Sequence, residues 1–226
     1  MYTSVTSMKG EGMERLGIHQ ILPEKVTNQR SLESKADDKE PSPVKPDGYE
    51  KTSGSDLELL RAYKEALKNG TVDDGKILVS ACLAGMNCRY DAGNCSYDDL
   101  RKLVDDGKAI PVCPEQLGGL STPRTPAEIV GGDGKEVLQG NSRVLNKLGV
   151  DVSDQFIRGA ELALEMAVGS HVILAVLKSK SPSCGVGKIY DGTFSGGTKQ
   201  GDGIAATKLR NAGIAVFSEE EWKMTR

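Results

Sequence analysis

Read for the spacing of its apolar positions, the chain divides into three stretches. Residues 1 to 54 show no sustained period, and "SLESKADDKEPSPVKPDGYEKTSGSD" is charged and rich in Pro, Ser and Gly. Such a segment buries too little apolar surface to offset its ordering entropy, so a disordered N-terminal extension is expected over 1–54. "SDLELLRAYKEALKNG" then repeats Leu57, Leu60, Tyr63 and Leu67 at helical spacing. Ser55 or Asp56 is placed to cap its start and Gly70 to end it, predicting an amphipathic helix and linker over 55–75. From Lys76 onward the pattern alternates. "KILVSAC", "AIPVCPE", "HVILAVLK" and "IAVF" are near-continuous apolar strands. Between them, "SYDDLRKLVDDG", Val152 to Val168 (with Phe156, Ile157, Leu162, Leu164 and Met166) and "DGIAATKLRNAG" read as helices. Strands without a polar face, alternating with helices, require cover on both sides. The expectation for 76–226 is an α/β domain: three layers, a mainly parallel sheet with helices on both faces, Rossmann-like. No G-x-G-x-x-G follows the first strand, so a dinucleotide site is not indicated.

Composition narrows the function classes. Of 226 residues only 4% are aromatic, with a single tryptophan, and the formal net charge is −3. Neither a stacking platform for single strands nor a basic footprint for duplex nucleic acid is present. A small ligand needs only local donors and stays open. No apolar run reaches the roughly 18 residues that span a bilayer. The N-terminus has no basic-then-apolar signal pattern and carries Glu11, Glu14 and Glu24, so a soluble cytoplasmic protein is expected.

The five cysteines change the picture most. Cys82, Cys88, Cys95, Cys113 and Cys184 are an odd number without a signal peptide, which favours reduced thiols, metal ligands or catalytic thiols over a disulfide framework. Any one of them alone can be a small buried hydrophobe. Open α/β sheets, however, bind ligands outside the carboxyl ends of their strands. Cys82 ends the first predicted strand, Cys113 ends the second, and Cys184 lies in the turn after the third. Three thiols distant in sequence thus converge on one edge. Zinc would want four Cys or His ligands. Cys88 can complete a four-cysteine set, whereas His19 lies in the extension and His171 enters the third strand at its far end. An iron–sulfur cluster on three thiolates is the other option, and spacing alone does not separate the two. Cys95 matches no ligand spacing.

Groups suited to chemistry stand beside each thiol. "CPEQLGGLSTPRTP" places Glu115 two residues beyond Cys113, then Arg124; "SPSCG" places Ser181 and Ser183 beside Cys184. As a bland alternative, Glu115 is a loop carboxylate with Arg124 as its ion-pair partner, and the serines are turn formers. A neighbouring thiolate and partial burial favour the protonated form of Glu115. The glycine-rich run opening a helix near Asp202 offers backbone N–H groups to an anion or a carbonyl oxygen, a weak signal by itself against the favoured reading of a flexible surface loop.

With these residues in view the chain resembles a family whose characterised members are thiouracil desulfurases. "VSACLAGMNCRYD", "PVCPEQLGGLSTPRTPAE", "LKSKSPSCG" and "GDGIAATKLRNAGI" occur in order between Lys76 and Trp222. Ala84 stands where the family more often has leucine, and the first 75 residues lie outside the resemblance. The resemblance implies a 4Fe–4S cluster held by Cys82, Cys113 and Cys184 with one open iron, Cys88 not being counted. It implies a non-redox desulfidase acting on a thiolated pyrimidine, 2-thiouracil or a related base or nucleoside. Water attacks the ring carbon, and the open iron captures the sulfur. Glu115 is the implied acid–base residue and Ser181 the implied hydrogen-bonding partner at the reacting centre, with Ser183 as its alternative. The competing class is a non-catalytic iron–sulfur or zinc-binding sensor or scaffold module. Such a site has no need of Glu115 and Ser181.

Overall fold

The computed structural model describes residues 54–70 and 76–225. The extension expected over 1–54 lies outside the described residues apart from Gly54, as do residues 71–75 of the linker. In chain order the elements are α1 (Gly54–Lys68), β1 (Ile77–Ser80), a 3-10 turn (Ala81–Ala84), α2 (Asp98–Asp105), β2 (Ala109–Val112), α3 (Pro114–Leu117), β3 (Ala127–Val130) and α4 (Gly134–Leu138). There follow β4 (Arg143–Asn146), α5 (Ser153–Gly169), β5 (Leu174–Leu177), β6 (Lys188–Tyr190), β7 (Thr198–Gln200), α6 (Ile204–Asn211), β8 (Ala215–Ser218) and α7 (Glu219–Met224).

The four apolar strands form one parallel sheet in the order β2-β1-β5-β8. Successive side chains of a strand point to opposite faces, and here both faces are covered. Ile77, Val79, Leu174, Val176 and Phe217 pack with α1, α2 and α7. Leu78, Ala175, Leu177 and Val216 pack with α5 and α6 on the other side. The layered α/β architecture expected from the sequence is the one observed. α1 contributes Leu60 and Tyr63 to the first of these cores. Trp222 of α7, 2% exposed, donates its indole N–H to Asp99 at 2.7 Å and lies under the Lys64 ammonium at 4.2 Å. One aromatic side chain thereby ties α7 to both α1 and α2.

Three features differ from the expectation. The strands end earlier, β1 at Ser80 and β2 at Val112, so that Cys82 sits in the 3-10 turn after β1 and Cys113 is the residue just before α3. The buried face of α5 is Phe156, Gly159, Ala160, Ala163 and Ala167, while Met166 and Val168 are exposed. The reason is close helix approach: a Cβ on Gly159 would collide with the Pro114 carbonyl, and one on Gly118 with that of Gln155. Small residues, not large ones, mark the buried stripe when backbones nearly touch. The third difference is two antiparallel ribbons, β3–β4 and β6–β7, absent from the sequence reading. With α4, the start of α6 and Phe156 they enclose a third core around Ile129, Val144 and Ile189.

The glycine-rich run before α6 does not present free amides. The N–H groups of Ile204 and Ala205 bond to the carbonyls of Pro182 and Ser183 at 3.0 and 2.9 Å, and that of Gly203 to Gly185 at 2.8 Å. A Cβ on Gly203 would strike the Ser183 carbonyl. The anion-binding reading of this helix start is therefore corrected: its donors hold the turn that carries Cys184.

Candidate active site

The carboxyl ends of β1, β2 and β5 open on a cavity of about 840 Å³, whose wall includes Cys82, Cys88, Cys113, Cys184, Glu115 and Ser181. Local sequence explains the placement of each. Gly85, at φ +87, closes the turn that holds Cys82, and the amides of Cys95 and Tyr97 bond back to the Cys82 and Leu83 carbonyls at 2.9 and 2.8 Å. Pro114 starts α3 directly after Cys113, where a missing N–H costs nothing. In "SPSCG" the Ser181 hydroxyl accepts the N–H groups of Ser183 and Cys184, each at 3.1 Å, and the Gly185 N–H closes on the Ser181 carbonyl at 2.8 Å. Ser181 thereby shapes the turn that presents the thiol.

The thiols are buried or half-buried and unbridged. The Cys113 sulfur donates toward the Cys88 carbonyl at 3.7 Å. Its hydrogen bond with the Cys88 thiol, together with burial, pushes Cys113 above the ordinary thiol range. At Cys88 that same bond acts downward, but the bond with Cys82 and burial outweigh it and raise the group to about 11. Burial lifts Cys184 to about 12. The Arg124 guanidinium acts downward on Cys88 and Cys113 but does not offset these effects. Among the described residues the Ser183 hydroxyl, 0% exposed, has no hydrogen-bond partner of ordinary geometry. A ligating Cys184 sulfur beside it would be an acceptor.

Glu115 of α3 and Ser181, 66 residues apart in the chain, meet here: the Ser181 hydroxyl donates to the Glu115 carboxylate at 3.3 Å. Arg124 pairs with the same carboxylate, and the two side chains are only 9% and 14% exposed. The pairing entertained from sequence is present, but inside the site rather than in solvent. The guanidinium also donates to the Cys88 carbonyl at 3.0 Å. Burial lowers its affinity for the proton, while Cys113, Cys88, Cys184 and Cys82 all act on it the other way. A single cation thus lies within electrostatic reach of four thiols and one carboxylate. The Glu115 carboxylate thus has a cation on one side and a hydroxyl donor on the other.

Sequence reasoning passed over a second charged group. Lys178, the first residue after β5, donates to Glu219 at 2.5 Å, and Glu219 also accepts the Ser179 N–H at 2.7 Å and hydroxyl at 2.8 Å. Lys178 and Ser179 line the cavity. Cys95 lines it as well and accepts from Arg89 at 3.2 Å. His171 is exposed, in the turn before β5 and away from the lining residues.

Among the described residues, no group of three or more His, Cys, Asp or Glu side chains is gathered closely enough to hold one metal ion. An iron–sulfur cluster makes a different demand, because its thiolates attach to separate irons and must stand apart on one wall. Three thiols from three strand ends on one cavity, soft donors beside an orphaned hydroxyl and a buried guanidinium, are the donor set that such a cluster takes.

Three comparisons relate the chain to known proteins. The protein YbbK of Bacillus subtilis (strain 168), described as uncharacterized, is 48% identical over 145 residues, which cover 64% of this chain and 96% of that protein. The structure of a [4Fe-4S]-dependent thiouracil desulfidase, TudS, superposes with a TM-score of 0.59 at 42% identity, covering 67% of this chain and 95% of its own. The profile of the family described as 2-thiouracil desulfurase matches residues 77–221, from the first strand of the sheet to the last helix, and the chain belongs to that family.

Proposed function

We propose that this chain is a desulfidase that hydrolyses the carbon–sulfur bond of a thiolated pyrimidine, using a 4Fe–4S cluster held by Cys82, Cys113 and Cys184. The observation that carries the reading is the Ser181–Glu115–Arg124 chain standing on the same cavity wall as the three thiols. When bound, a cluster with one iron not taken by the protein supplies a soft Lewis acid for the substrate sulfur. Water replaces sulfur at the ring carbon, so thiouracil and water become uracil, hydrosulfide and a proton, with no electrons exchanged. Glu115 accepts the proton of the attacking water as the new C–O bond forms, and returns it to the departing side. Arg124 pairs with the carboxylate and aims it, and Ser181 fixes its other edge from the Cys184 turn.

An anaerobically reconstituted preparation tests this against 2-thiouracil, 4-thiouracil and their nucleosides, with released sulfide and iron per chain both measured. The expected result is sulfide release by the wild type. Cys113→Ser should lose most of its iron, whereas Cys88→Ser should keep it. Full iron occupancy in Cys113→Ser defeats the ligand assignment. A colourless wild type that binds zinc and releases no sulfide defeats the enzyme.

A further inference from the structure

Three phenylalanines occur in the chain, and two of them, Phe156 and Phe217, are core residues at 1% and 0% exposure. The third, Phe194, is half-buried at the tip of the β6–β7 ribbon and lines the same cavity as Glu115 and the cysteines. Its backbone sits at φ +58, a left-handed conformation that residues with a bulky side chain rarely adopt. Glu128 of β3 holds it there. That carboxylate, 7% exposed, accepts the N–H groups of Gly192 at 2.9 Å and Phe194 at 3.1 Å on one oxygen. Gly192, at φ +92, presses so closely on β3 that a Cβ would meet the Ile129 carbonyl oxygen at 2.6 Å. Asp191 adds a second local clamp by accepting the Thr193 N–H at 2.9 Å. An ordinary hairpin tip needs none of this. Strained backbone over-determined by its surroundings concentrates where a side chain must be held for a ligand.

The other aromatic groups at the cavity are less available. Tyr90 already carries the Arg89 guanidinium over its ring at 5.5 Å. Tyr190 belongs to a strand paired with β7, and Phe156 is fully packed. Phe194 and Tyr190 both offer a cavity ring that is neither core nor capped by a cation, and of the two only Phe194 has its backbone pinned in the left-handed region.

Resting on the desulfuration reading, we infer that Phe194 stacks on the flat face of the pyrimidine and that Glu128 is its positioning residue. An aromatic ring stacks on any pyrimidine whether or not it carries sulfur, so the platform recognises the ring while the thiol wall handles the C–S bond.

Steady-state kinetics of the cluster-loaded full chain with 2-thiouracil test this, alongside inhibition by plain uracil. Phe194→Ala should raise KM and weaken uracil inhibition by roughly tenfold, with kcat close to wild type, and Phe194→Tyr should restore both. Glu128→Ala should raise KM similarly, and the double variant should be no worse than either single one. Hydrogen exchange provides a readout independent of turnover. In Glu128→Ala the Gly192 and Phe194 amides should lose protection while those of β1 and β5 keep it. Wild-type KM and uracil inhibition in Phe194→Ala would overturn the inference and leave the desulfidase reading standing. A fall in kcat with KM unchanged overturns it equally. Absence of turnover by the wild type on every thiolated pyrimidine removes both readings together.

Discussion

The carboxyl edge of the parallel sheet and the tip of the β6–β7 ribbon both line the cavity, yet they hold their groups in opposite ways. At the edge, the Ser181 hydroxyl takes up two amides of the turn that carries Cys184, and charges stand in pairs: Glu115 with Arg124, Lys178 with Glu219. At the ribbon, a three-residue strand on either side and one buried carboxylate support an otherwise half-exposed loop. A fixed wall suits groups that must meet a reacting atom within tenths of an ångström. A pinned but separable ribbon suits a surface that a substrate must enter past. Edge substitutions should therefore change rate or stability, and ribbon substitutions should change binding.

The largest effect expected from the edge is that of Glu115→Gln. Glutamine keeps the shape and can still accept from Ser181, but it neither pairs with Arg124 nor takes a proton from water. Turnover should fall by about 10²–10⁴-fold, with iron content and KM near wild type. Steady-state kinetics and iron analysis on one preparation measure all three. A raised KM with unchanged kcat would place Glu115 with the ribbon, among the binding residues, and dissolve the contrast between the two regions.

Lys178→Met comes next and reads out in stability. It strands Glu219, 3% exposed, without its cation. Breaking a buried pair from one side costs about 3–5 kcal/mol, to be measured by urea unfolding near neutral pH. The pH dependence follows from the shifts. Burial opposes the charge on both groups, but their hydrogen bond prevails: Glu219 lies below its ordinary value and Lys178 above. The Glu219 contribution is fully present above its unfolded value near ~4.3 and is lost as pH falls through the folded one. The Lys178 contribution is fully present below its unfolded value near ~10.4 and is lost as pH rises through the folded one. The gap between wild type and Lys178→Met should thus be widest between those limits and shrink in acid. A gap independent of pH would mean that packing of the lysine stem, not its charge, supports this corner.

The same contrast decides how much could be read before the structure. The sheet was legible because β1 and β5 are buried on both faces, which leaves an unbroken apolar run in the sequence. Cys82, Cys113 and Cys184 follow such runs, so their convergence needed only the rule that parallel strands share a carboxyl edge. The Glu115–Arg124 pair was visible as a possibility because nine residues separate the two. Lys178 and Glu219 lie 41 residues apart, and nothing in "FSEEEW" distinguishes Glu219 from the two glutamates after it. The ribbons escaped because three- and four-residue strands with exposed Lys, Thr and Gln carry no run and too little alternation to register. The buried stripe of α5 escaped for another reason. Its identity is set by how near α3 comes, and Gly118 sits on the other partner.

The smallest expected effect separates two serines within the edge itself. Ser181 has its hydroxyl engaged three times, by the Ser183 and Cys184 amides and by Glu115. The Ser183 hydroxyl, more deeply buried, is engaged by nothing of ordinary geometry. A buried polar group without a partner contributes no net stability, so Ser183→Ala should leave unfolding free energy within about 1 kcal/mol of wild type, or slightly above it. Ser181→Ala instead orphans two amides and should cost about 1–3 kcal/mol, with slower turnover because Glu115 loses the contact that aims it. Parallel denaturation and kinetic measurements on the two variants check the assignment. Should Ser183→Ala lose turnover while Ser181→Ala keeps it, the reacting-centre role passes to Ser183. The hydrogen bonds of Ser181 would then serve only to shape the turn that carries Cys184.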